Sequence, residues 1–136
     1  MTYPEKIAYL YRYRDAQRTM RRLLEELAQL RAEAASVSVA LSGMPSGGGD
    51  GQAIPRAVER IADAESRLVS AYGTALAERS QVKDAIDTVP DPLRRDILTR
   101  RYILCQQWER IAADNNFTLR RVLQIHHKTV EAMEIA

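Results

Sequence analysis

The sequence predicts an all-α protein, a long antiparallel helical hairpin of coiled-coil type followed by a three-helix unit of the helix-turn-helix kind. Three observations carry this expectation. Ala, Leu, Arg and Glu dominate, aromatics make up only 6%, and β-branched residues form no alternating runs. Two long segments repeat apolar residues in alternating steps of four and three, which is the coiled-coil spacing. The stretch Trp108 to Val130 reads as a helix, a short polar turn and a second helix with a basic outer face.

The first helix carries Tyr9, Tyr13, Ala16, Met20, Leu23, Leu27, Leu30, Ala34, Val37 and Leu41 on its seam, with Pro4 suited to its first position. Five of the six glycines then fall between Ser42 and Gln52, which predicts a flexible, poorly ordered connection. The second helix opens near Pro55 and repeats Ile54, Val58, Ile61, Glu65, Leu68, Tyr72, Ala75, Arg79, Val82, Ile86 and Val89. Each helix would run roughly 50 Å at 1.5 Å per residue. If the chain reverses at the centre of the glycine stretch, seam residue Glu65 lies near Leu30 and Arg31, and Arg79 near Asp15 and Ala16. These charges either pair across the seam or turn out of it on their long stems.

Pro90 and Pro92 end the hairpin, so the domain reading is 1–89, with the glycine-rich connection at 42–52, and 90–136. Asp91 caps a helix that starts at Pro92 and turns Leu93, Ile97, Leu98 and Ile103 inward. A short helix follows from about Gln107 to Asp114, with Trp108, Ile111 and Ala112 facing the core. Asn115 and Asn116 tolerate the left-handed conformation of a tight exit. Thr118 caps the final helix, whose buried face carries Val122, Ile125, Thr129 and Met133.

The net charge of +2 is unremarkable, but from Arg94 to Lys128 eight basic residues face three acidic ones, an excess of +5. That asymmetry suits a phosphate-facing surface. The single cysteine, Cys105, excludes an internal disulfide and a cysteine-based zinc site. The N-terminus is polar and tyrosine-rich, and no apolar run is long enough to span a membrane, so a cytoplasmic protein with no membrane partner is expected. No GxxxxGK, HExxH, Ser/His/Asp set or paired carboxylates are found, so neither an enzyme nor a cofactor is expected. Adjacent His126 and His127 point about 100° apart on a helix and share no metal easily. Packing of a helix start is the reading of Tyr3, Tyr9, Tyr11 and Tyr13, ahead of stacking on single-stranded bases.

A helix that lies in the major groove needs a dry face toward its scaffold and a wet face of donors. The last helix supplies both. Thr118, Arg120, Arg121, Gln124, His127 and Lys128 are the candidate DNA-binding residues. Arginine forks onto guanine O6 and N7, glutamine onto adenine N6 and N7, and the N–H groups at the Thr118 end donate to a phosphate.

These residues carry a resemblance. The opening Trp108-Glu109-Arg110-Ile111-Ala112, the run Thr118-x-x-x-Val122-x-Gln124-Ile125 and the preceding Ile97-Leu98-x-x-Arg101-Tyr102 resemble the helix-turn-helix of region four of bacterial sigma factors. In its layout the whole chain is similar to small phage and prophage regulators of the ArpU type. The resemblance implies a sequence-specific regulator of transcription that binds double-stranded DNA, with Arg120, Arg121 and Gln124 on the DNA face and RNA polymerase as a candidate partner. It also puts Leu119 and Leu123 on that face, where sigma factors often carry basic residues. They would meet thymine methyl groups, the coiled coil or a partner. A DNA-packaging or recombination accessory, and a coiled-coil adaptor that never reads DNA, are the alternatives. The long heptads are compatible with a homodimer through the long helices or with a monomeric hairpin that satisfies its own seam.

Overall fold

The computed structural model describes residues 1–42 and 51–135, so the glycine-rich connection lies for the most part outside the described residues. These form six helices: α1 (Tyr3–Leu10), α2 (Arg12–Ser42), α3 (Ala53–Asp87), α4 (Pro92–Tyr102), α5 (Trp108–Asp114) and α6 (Leu119–Ala132). Among the described residues there is no strand, and the all-α class is as the sequence predicts.

The helix starts follow local chemistry. The Thr2 hydroxyl accepts from the Glu5 N–H while the Glu5 carboxylate accepts from the Thr2 N–H at 2.8 Å, a capping box. Asp91 accepts from the Leu93 N–H at 3.2 Å, with Pro92 first in α4. The first long helix is interrupted once, at Tyr11, which separates α1 from α2. Pro55 sits third in α3 rather than first.

The chain packs as two compact units, one of Met1–Gln17 with Thr74–Ala136 and one of Arg18–Gly73. This division differs from a boundary at residue 89. The last turns of α3 share a core with α1, α4 and α6, through Leu10, Val82, Ile86, Val89, Leu98, Tyr102, Ile103, Val130 and Met133. Each such side chain contributes on the order of 1.5–3 kcal/mol by leaving water. A second core in the same unit, Ile97, Ile111, Ala112, Val122 and Ile125 with Trp108 and Phe117 against it, holds α4, α5 and α6 together.

In the Arg18–Gly73 unit, α2 turns its predicted seam inward. Leu23 and Leu27 are buried, and Met20, Leu30, Ala34 and Val37 half-buried; the side chain of Leu41 lies outside the described residues. The α3 register is shifted by one residue at alternate positions. Ala64 is buried and Ala57 and Ala71 are half-buried, while Val58, Glu65 and Tyr72 stand in solvent. Ile61 and Leu68, which belong to both registers, are half-buried. Glu65 still meets Arg31, at 3.1 Å across the helix pair. In the other unit Glu78, not Arg79, makes the cross-helix pair, 2.7 Å from Arg12.

Candidate nucleic-acid interface

The interface rests on α5, a four-residue turn and α6. At the end of α5 the Phe117 N–H donates to the Ala112 carbonyl at 2.9 Å and the Asn116 N–H to the Ala113 carbonyl at 3.2 Å. This is the Schellman exit, with Asn116 at φ 57° in the left-handed position. Of the two asparagines expected there, Asn116 alone takes that conformation. Phe117 then packs on the core beside Ala112. The Thr118 hydroxyl accepts from the Arg121 N–H at 3.1 Å and starts α6. Thr118 is therefore occupied as a cap, and what it can offer a phosphate is the remaining N–H groups of the first turn.

α6 is divided lengthwise. Val122, Ile125, His126, Thr129 and Val130 are buried, and the Thr129 hydroxyl is satisfied by the Ile125 carbonyl at 2.7 Å. Arg120, Arg121, Gln124, His127 and Lys128 are exposed. Leu119, Arg120, Leu123, Gln124, His127 and Lys128 together line one shallow open groove. The helix holds no acidic residue before Glu131.

His127 is the least free of the candidates. Its ring lies 4.5 Å from that of Tyr3, and its Nε2 is 3.7 Å from the Glu131 carboxylate. Lys6 of α1 donates to the Glu131 carbonyl at 2.9 Å, so α1 lines the C-terminal half of α6.

Most of the basic residues between 94 and 128 are engaged within the protein. Arg94 pairs with Asp91, Arg100 with Asp96 and Asp114, and Arg110 with Asp114. The Asp96 hydrogen bond, then the charges of Asp96 and Asp114, raise the affinity of Arg100 for its proton. Arg95 donates to the Val89 carbonyl. Arg101 donates to the Tyr11 hydroxyl at 2.8 Å and lies 4.7 Å over the Trp108 ring. Among the described residues, the side chains of Arg120, Arg121 and Lys128 are the ones in this stretch left without an ion pair or hydrogen bond.

Beneath α6 lies a polar contact that the sequence reading missed. The Tyr102 hydroxyl and His126 Nε2 are 2.6 Å apart, and both residues are buried. The Trp108 ring stands edge-on to the His126 imidazole at 4.6 Å. Burial, then the charges of Arg101 and His127, hold the His126 pKa down at about 4. Burial raises that of Tyr102. With both groups neutral, the phenol donates and Nε2 accepts. His126 is buried on the same stripe as Val122 and Met133.

The tyrosines at the chain start pack rather than face solvent: Tyr3, Tyr11 and Tyr13 lie against the first core, and Tyr11 meets Tyr102 edge-on at 5.1 Å. No helix among the described residues is long and apolar enough to cross a membrane. Compared with known proteins, the chain matches no family model, no curated protein and no solved structure.

Proposed function

We propose that the protein is a sequence-specific binder of double-stranded DNA and acts as a transcriptional regulator of phage or prophage type. The observation that carries this reading is the division of α6. One side is sealed into the core, and the other presents Arg120, Arg121, Gln124 and Lys128 with no acidic residue until Glu131. A helix with that division fits the major groove, its first-turn arginines near base edges and Lys128 beside the phosphates. The Trp108–Val130 resemblance to sigma region four points the same way. No catalytic role and no cofactor is part of this proposal.

Binding should be measured on duplexes selected from a random library, over a range of salt. Affinity should fall steeply as salt rises, because neutralised phosphates release counterions. Arg120→Ala should cost about 1–3 kcal/mol and relax the preference at one base pair, while a phosphate-anchoring residue weakens all sequences alike and lowers the salt slope by about one. Failure to retain any duplex at low ionic strength rejects the reading.

A second reading has one observation in its favour. In the Arg18–Gly73 unit, α3 leaves Val58, Val69 and Tyr72 in solvent. A coiled-coil adaptor that docks on RNA polymerase or another protein, or a homodimer through the long helices, would use such a face. Polymerase affinity without duplex affinity selects the adaptor.

A further inference from the structure

Leu119 and Leu123 are 41% and 39% exposed, one helical turn apart, and they share their groove with Arg120, Gln124 and Lys128. A single exposed leucine is ordinary and asks for no explanation. Two at i and i+4, set within the cationic face of the helix, form a shaped apolar contact. The groove's surroundings carry positive charge with no acidic residue before Glu131, which favours a polyanion over a protein surface.

Resting on the DNA reading above, we propose that Leu119 and Leu123 are specificity-determining residues that pack on thymine 5-methyl groups, so that the site read by α6 carries thymines at neighbouring positions. The thymine methyl is the one apolar group that base edges present in the major groove. Four residues of helix advance about 6 Å, close to two base-pair steps of about 3.4 Å each. The two side chains therefore address thymines one or two steps apart. Gln124, beside Leu123, suits the N6/N7 edge of adenine, so an A·T pair can be read from both strands at once.

The test replaces each thymine of a selected duplex, one at a time, with deoxyuridine, which removes the methyl and keeps every hydrogen-bonding group. With the unaltered protein, one or two of these substitutions should weaken binding about three- to tenfold, the effect of losing one buried methyl contact. Leu123→Ala should bind the thymine and deoxyuridine duplexes equally at its own position and keep the salt slope of the parent. Sequence-specific binding with no deoxyuridine effect at any position overturns the thymine contact and leaves the DNA reading standing. A Leu119→Ala, Leu123→Ala double variant that keeps the full deoxyuridine effect also overturns it. Loss of all duplex binding by the unaltered protein removes the reading on which the proposal rests.

Discussion

At the scale of single residues, the Tyr102–His126 pair is the most consequential contact under α6. A neutral imidazole held in the core gives stability a pH dependence whose sign is set by its lowered pKa. In the unfolded chain His126 takes a proton near pH 6.5, whereas in the fold it does so only near 4. The contribution is fully present above 6.5 and is lost as pH falls between those values, reaching about 3 kcal/mol at most. Urea midpoints measured from pH 7 to 5 should show a loss of about 2 kcal/mol by pH 5. His126→Met should remove most of that slope, and Tyr102→Phe, which leaves Nε2 without its donor, should cost about 1–3 kcal/mol at neutral pH. The sequence made part of this legible, since His126 falls on the buried stripe with Val122, Thr129 and Met133. Its partner was not legible, because a contact across 24 residues depends on how α4 meets α6. The outward side chains of α6 were readable from periodicity alone. That Arg95 and Arg101 are engaged within the protein was not, for their partners are carbonyls in the flanking turns and the Tyr11 and Trp108 side chains, whereas the Arg100–Asp96 pair follows the four-residue spacing within α4.

At the scale of elements, the angle between α5 and α6 depends on the exit at Asn116. A left-handed residue costs asparagine little, glycine nothing, and a β-branched residue most. Asn116→Gly should leave the thermal midpoint near that of the parent. Asn116→Val should lower stability by about 1–2 kcal/mol and weaken duplex binding by tilting α6, with far-UV circular dichroism reporting the first effect. The turn was legible because asparagine pairs, a following Thr cap and a change of apolar phase coincide within four residues. The α3 seam was less so. Where alanine precedes a larger apolar residue at seven-residue spacing, as at Ala57-Val58 and Ala71-Tyr72, periodicity admits two registers. The structure takes the alanine register, with Ala64 buried and Val58 and Tyr72 exposed, a choice that periodicity along one helix does not make. Arg31 and Glu65 illustrate the other limit: the pair forms as the sequence suggests, yet both side chains are about half exposed, and such pairs contribute roughly 0–1 kcal/mol.

At the scale of the whole molecule, burial is unequal between the two units. Among the described residues, Leu23, Leu27 and Ala64 are the buried apolar residues of the Arg18–Gly73 unit, whereas two cores fill the other. Local opening follows apolar burial. Amides of α4 and α6 and of α3 beyond residue 74 should therefore exchange with deuterium more slowly than those of residues 18–42 and 53–73. Equal protection in both units would show the helices of residues 18–73 to be held by contacts outside the monomer. The extent of each unit was hidden from the sequence because Pro90 and Pro92 mark where the chain turns, not where its packing divides. The end of α3 belongs to the same core as the helices after the prolines.

Trp108 is the only tryptophan, and its indole touches the imidazole of His126 on one edge and the Arg101 guanidinium on its face. A protonated imidazole accepts an electron from an excited indole and dims its emission. The protein thus carries an intrinsic optical gauge directly under α6, so the ionisation of the core and any disturbance transmitted to it when a duplex arrives can be followed with no dye attached.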